Sequence, residues 1–534
     1  MNNKKYNGWL FFLYLLIAFL FGISVAINFL PSRKSSISNA QMGKLNEVMN
    51  YINQYYVDPV NIDSVYDQAI SAVLQGLDPH SAYATPEENK TMMESLNGAF
   101  EGVGIQFRIM NDTVMVIATV SGGPAEKSGV RAGDRIVSVD GKSIVGASND
   151  QVFKMLRGKK GTTVKVGVQR SGVKDLCTYS ITRNIIPTYT LDVAYMIDAQ
   201  TGYIKINEFG STTKDEFANA LVKLKGKGMT KLVLDLRGNA GGFLDAAIGV
   251  CDEMLHKKQK IVSVEGLKVR PEIFYATNKG NFLEGDVVVL IDDFSASASE
   301  IVAGAIQDND RGYIVGRRSF GKGLVQRQFD LSDKSTIRLT TARYHTPSGR
   351  CIQRNYKNGT EAYYEEIYER LANGEMENID SIKQDKSLIY KTAGGRTVYG
   401  GGGIMPDFFV PIHKGHDLDG YYQIANSAAL VQFAFNYTNE HKDELKRTYP
   451  STDVFLKKMT VSDQELNALT TYYAKITHKS VPTLTANSKK ELKVWLKALI
   501  GRDLYGDEAF YPVINETDET VAKALEVLRN RLQT

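Results

Sequence analysis

Two short, mainly apolar runs constrain this chain more than any other feature. Residues 231–236 (Lys-Leu-Val-Leu-Asp-Leu) and residues 287–291 (Val-Val-Val-Leu-Ile) read as buried strands. Each runs into a turn crowded with small polar residues. The first meets Arg237-Gly-Asn-Ala-Gly-Gly242, the second Ser295-Ala-Ser297-Ala-Ser-Glu300. A helical pattern lies between neighbouring strands, with Phe217, Leu221 and Leu224 aligned over residues 213–225. Strands alternating with helices predict a mixed α/β layer over residues 184–412.

At 534 residues the chain exceeds one core and predicts three or four domains in an α+β, multidomain whole. A net charge of +4, with both signs spread along the chain, argues against a nucleic-acid partner. Cys177, Cys251 and Cys351 lie far apart, with neither a metal spacing nor an even disulfide count. They read as packing residues.

Residues 1–40 predict a cytoplasmic tail and a membrane anchor. From Trp9 to Leu30 no charge interrupts an apolar run long enough to span a bilayer as a helix. Lys4 and Lys5 before it nearly balance Arg33 and Lys34 after it, so charge does not orient it. Ser38-Asn39-Ala40 has a cleavage-site spacing, but an uncleaved single-pass anchor is the expectation.

Residues 41–97 read as helical, with Leu45, Val48, Met49, Ile52 and Tyr56 at helix spacing and a turn at Leu77-Asp78-Pro79-His80-Ser81. His80 beside proline reads as a turn residue rather than a base. Residues 98–183 switch to short β-runs. Gly102-Val103-Gly104-Ile105-Gln106-Phe107 leads a strand, residues 114–117 return, and Gly123-Pro124 opens a short helix closed by Gly129. A strand at 133–141, a helix from Ser148 and a strand at 163–168 complete the unit.

These landmarks resemble a PDZ domain over about ninety positions. The resemblance implies that the backbone N–H groups of Gly102, Val103, Gly104 and Ile105 receive a peptide C-terminal carboxylate, the tail adding as a strand. Glycine frees the backbone to turn its amides toward an anion, although the same glycines also suit a simple β-turn. Residues 355–400 read as an insertion. Residues 413–534 read as a helical region without a chemical motif, for packing or homo-oligomer formation.

The chemistry gathers around the serine cluster and Gly321-Lys322-Gly323, with no histidine between them. A serine hydroxyl needs a base. A lysine can serve if its pKa falls from ~10.4 to roughly 7–8, a shift worth ~4 kcal/mol that burial can supply. Phe320, Leu324 and Val325 are suitable apolar neighbours, and Gln326 can orient the amine without charging it. The Ala298 N–H at a helix start, together with the 238–242 turn, offers an oxyanion hole at strand C-termini.

Two plainer readings compete. Ser297-Ala-Ser-Glu300 also fits a helix capping box. Gly316-Arg-Arg-Ser-Phe-Gly321-Lys322-Gly323 approaches a phosphate-binding loop, but Gly323 lacks the hydroxyl that would ligate magnesium and a strand follows.

Together with Asp235-Leu-Arg-Gly-Asn-Ala-Gly-Gly242 and Gly403-Ile-Met-Pro-Asp407, these motifs resemble the C-terminal processing serine peptidases (tail-specific proteases), in order from about Leu77 to Ile412. The resemblance implies Ser297 as nucleophile, Lys322 as general base, and Gln326 as its orienting group. It also implies an oxyanion hole of Ala298 with Gly241 or Gly242, and no cofactor or metal. The expected function is extracytoplasmic cleavage of proteins near their C-termini, from a bacterial inner membrane. A PDZ-bearing scaffold without catalysis is the rival.

Overall fold

The computed structural model describes residues 39–530, apart from 111, 171 and 413–415. The apolar run at 9–30 lies outside the described residues. No helix among those described is long and apolar enough to cross a membrane.

The two runs that dominate the sequence lie side by side. A six-stranded sheet orders Leu191–Met196, Thr201–Ile206, Lys231–Asp235, Asp286–Ile291, Tyr313–Gly316 and Phe408–Phe409, all neighbours parallel except the first pair. Burial of both faces explains why the runs contain no polar alternation. Leu232, Leu234, Val287, Val289 and Ile291 face one core, with the helices Thr213–Lys225, Leu244–Asp252 and Ala298–Asp308. Val233, Val288 and Leu290 face a second core, built with Leu430, Phe455, Leu469, Leu496 and Val521 of the C-terminal helices. The region after residue 412 is therefore helical as expected, but it supplies the cover for one face of the six-stranded sheet. Its sequence looks polar because only one side of each helix is buried.

A second, antiparallel sheet joins Ala82–Ala84, Thr336–His345, Lys260–Gly266 and Val269–Tyr275, with Leu324–Asp330 also on Thr336–His345. The strand Ala82–Ala84 interrupts the helical reading of 41–97, which resolves into Asn39–Tyr55, Ile62–Gln75 and Pro86–Leu96. Pairing with a strand some 250 residues away overrides local preference there. The chain divides after Val73 into two compact units, so the 78–81 turn belongs with the larger one.

The PDZ unit forms its own sheet, Ile105–Met110, Thr113–Thr119, Arg135–Val139, Thr163–Gln169 and Cys177–Thr182 in that order, over an apolar core containing Val116, Ile136, Val152 and Val166. Its second helix, Asn149–Leu156, starts at Ser148 with a reciprocal Ser148–Gln151 capping box. Entry and exit lie together, because Ala99–Gly102 pairs antiparallel with Asn184–Pro187. The unit is thus inserted between two paired segments.

Candidate active site

Three serines crowd the turn after Asp286–Ile291, and the structure separates their roles. Ser295 Oγ donates to the Leu236 carbonyl at 2.9 Å, and Ser299 Oγ to the Asn239 carbonyl at 2.8 Å; both side chains are fully buried. They bind the second turn to the first. Ser297, between them, is partly exposed and stands at the N-terminus of Ala298–Asp308 with φ 54° and ψ −110°. A non-glycine residue in this region carries strain of order 1–3 kcal/mol, held by its surroundings.

The capping box supplies one restraint. Glu300 Oε2 accepts the Ser297 N–H at 2.9 Å. The same oxygen accepts the Lys322 N–H at 2.8 Å, while Oε1 takes the Gly321 N–H at 2.7 Å and the Ser319 hydroxyl at 2.5 Å. Tyr344 repeats the bridge from the other side, its hydroxyl reaching the Ser297 carbonyl at 3.2 Å and the Lys322 carbonyl at 2.8 Å. The backbones of Ser297 and Lys322 are therefore pinned together by one carboxylate and one phenol. Glu300 is more than a cap. Its sequence signal was the box; its reach to residues 319–322 was not visible there.

Lys322 lies on the loop before Leu324–Asp330, where its flanking glycines are required. Gly321 has φ 91°, and a Cβ on Gly323 would fall 2.9 Å from the Gln353 amide nitrogen. Burial lowers the Lys322 pKa, aided by the Arg338 guanidinium, and outweighs the opposing pull of Glu300 and Asp78. Gln326 is nearby on the strand, but its Nε2 donates to Thr340 Oγ1 at 3.2 Å, and Thr340 Oγ1 donates to Asp78 Oδ1 at 3.0 Å. The 78–81 turn thus ends beside the lysine.

His80 keeps its turn role, its N–H bonded to Asp78 Oδ1 at 2.8 Å and its Nε2 2.9 Å from the Tyr363 hydroxyl. Burial and the charges of Lys322 and Arg354 push its pKa down to about 3, against the pull of Asp78. It stays neutral at ordinary pH.

The segment read as an insertion carries the loop from below. Glu366 and Arg370, on the helix Thr360–Ala372, form an ion pair, and Arg370 donates to the carbonyls of Ser319 at 2.8 Å and Phe320 at 3.2 Å. The Gly403-Ile404 motif closes the other side through Ser319, whose Oγ accepts the Ile404 N–H at 2.6 Å.

The glycine turn meets the serine directly. Gly241 has φ 107°, and a Cβ there would lie 2.8 Å from Ser297 Cβ. Its N–H is engaged by Asn239 Oδ1 at 2.8 Å, whereas the Gly242 and Ala298 amides have no such acceptor among the described residues. Asp235, buried, and Arg237, half-buried, of the same motif form a two-pronged ion pair, extended to Asp518 at 2.8 Å. Burial would raise Asp235, but Arg237 and Lys205 hold it below the usual carboxylate range. This pair ties the sheet end to the C-terminal helices.

At the far end, Gly102 to Ile105 sit between the strand Ala99–Gly102 and the strand Ile105–Met110, with Gly104 at φ 75°. Phe107 and Phe153 meet with tilted rings, 5.0 Å between centroids, between that strand and the Asn149–Leu156 helix.

A strained serine turn, a half-buried lysine on a loop clamped to its backbone, and a PDZ-like unit suggest a class, and comparison with known proteins agrees. Peptidase family S41 matches residues 200–362, a PDZ domain matches 94–169, and a family of unknown function matches 420–506. The carboxy-terminal-processing protease of Bartonella bacilliformis is 36% identical over 348 residues, covering 63% of this chain and 80% of that one. The carboxy-terminal processing protease CtpA of Bacillus subtilis is 34% identical over 326 residues, covering 61% and 69%. Among solved structures, a photosystem II D1 C-terminal processing protease is 29% identical, covering 59% of this chain and 90% of its own, with a TM-score of 0.34. The chain belongs to the carboxy-terminal processing proteases of peptidase family S41, and is a serine-type peptidase with a PDZ domain.

Proposed function

We propose that Ser297 attacks the scissile carbonyl while neutral Lys322 takes its proton, and that the substrates are proteins cut near their C-termini. The observation that carries this reading is the shared clamp of Glu300 and Tyr344 on both backbones. It holds the two backbones close together, which supports pairing their side chains, while burial favours the uncharged amine. Ala298 and Gly242 N–H groups then stabilise the oxyanion, and water releases the acyl-enzyme after the lysine returns its proton to the leaving amine. Gly241 shapes the hole rather than donating to it, because its amide is held by Asn239. The orienting role of Gln326 is part of this proposal; in the structure its Nε2 donates to Thr340. The PDZ loop at Gly102–Ile105 holds the substrate's terminal carboxylate.

The run at 9–30 is proposed as a single-pass anchor holding the catalytic part outside a bacterial inner membrane. Self-association is a further proposal, its weight resting only on the helical C-terminal region. Cleavage of an unstructured protein with a free C-terminus tests the enzymatic reading. Ser297→Ala should abolish it, and turnover by that variant at the parental rate would remove the mechanism.

A further inference from the structure

One cavity of 740 Å³ takes no part in the chemistry above, and it is touched by five consecutive residues, Gln106 to Met110. Successive residues of a strand point to opposite faces. A space touched by all five must run along the strand's edge. That edge is open: Ile105–Met110 is the last strand of its sheet, paired with Thr113–Thr119 on one side only. An unpaired edge presents a row of backbone donors and acceptors for another strand.

The opposite wall belongs to the C-terminal helical region. Val431 and Phe435 on Ala429–Glu440 and Leu499 on Ala486–Tyr505 line it, facing Ile117 of the PDZ sheet. Contact between the two regions already exists where Phe435 packs on Met110 and Met115. In an isolated PDZ domain this side would meet solvent; here it meets a helical wall in which Val431, Phe435 and Leu499 stand beside Gln432.

The strand begins at the Gly102–Ile105 loop, so a tail anchored there by its carboxylate would continue along the same edge into the cavity. Its side chains must alternate. If the last residue faces the PDZ helix, the second and fourth from the end face the C-terminal helices. Arg108 and Arg502 stand at the rim with Asp503 and Asp507, so neither sign of charge is favoured. Burial raises Asp503 to about 6 despite nearby arginines. Apolar side chains match Val431, Phe435 and Leu499 on the opposite wall.

We propose that the C-terminal helical region is the second wall of the tail-binding groove, selecting large apolar side chains at the second and fourth positions from the substrate's end. This rests on the PDZ reading above, which sets the register.

The test uses the full chain carrying Ser297→Ala, so that peptides bind without being cut. Dye-labelled decapeptides with Leu, Ala or Asp at those two positions, each as free acid and as amide, are titrated by fluorescence anisotropy. Leucine peptides should bind about tenfold tighter than alanine ones. Ala428→Trp, which fills the mouth from an exposed position, and Val431→Asp should each reduce that ratio to about one while free-acid binding persists. Dependence on the free carboxylate with an unchanged leucine-to-alanine ratio in both variants overturns the helical wall alone. A ratio of one in the parent does the same. Equal binding of acid and amide removes the carboxylate anchor, and the register falls with it.

Discussion

At the scale of single residues, the proposed mechanism demands an uncharged lysine beside a strained serine. Burial and Arg338 both work against the ammonium of Lys322. Lys322→Arg keeps the charge at every practical pH, and its kcat should fall by at least about a thousandfold with little change in folding. Parental activity in that variant would exclude a base at 322. Glu300 is the second critical residue, fully buried with four donors aimed at it. Glu300→Gln places an amide NH₂ against some of those donors and should cost about 1–3 kcal/mol in a denaturant titration, with a matching loss of kcat. A variant as stable and active as the parent would show that the clamp is dispensable. Sequence identified this residue as a cap. Its second set of partners comes from a loop some twenty residues on, and no local spacing encodes that contact.

Among elements, the two turns at the ends of adjacent parallel strands decide the geometry. Their strands and the Thr213–Lys225 helix were legible because apolar pattern and period are local properties. The turns' mutual fit was only half legible. Gly241 and Gly242 stood out in the sequence, but which amide remains open depends on Asn239 Oδ1. Gly241→Ala would drive a methyl to within 2.8 Å of Ser297 Cβ from a backbone position that disfavours side chains. We expect kcat to drop at least about a hundredfold, with KM for a tailed substrate nearly unchanged. An equal loss in KM would place the effect in binding instead. The helix Thr360–Ala372 escaped the sequence reading for a different reason. Its charged pattern looks like a solvated insertion, yet Arg370 is spent inward on the Lys322 loop.

Across the whole molecule, the protease sheet depends on a region with no chemistry of its own. Removing residues 420–534 would expose Tyr203, Val233, Val288, Leu290 and Val315 together, and should yield aggregated protein. Excising 103–183 should be tolerated, since the paired segments Ala99–Gly102 and Asn184–Pro187 bring the cut ends close. That form should still cleave short unstructured peptides while losing its preference for free C-termini. A soluble, active protein without 420–534 would contradict the packing account. The architecture of PDZ unit and sheet could be read from motifs in order along the chain. The double use of the C-terminal helices could not, because it arises from contacts between segments hundreds of residues apart.

The central claim is that Lys322 in its neutral form deprotonates Ser297. The most direct measurement is the rate at which a fluorophosphonate probe labels the full chain from pH 5 to 11, with the modified residue located by mass spectrometry. The folded pKa of Lys322 lies below its ordinary 10.5, so the neutral fraction grows as pH rises through that lowered value. Labelling should fall on Ser297, accelerate through one ionisation below 10.5, and all but vanish in Lys322→Ala. A pH-independent rate, or equal labelling of Ser297 without the lysine, would contradict the account.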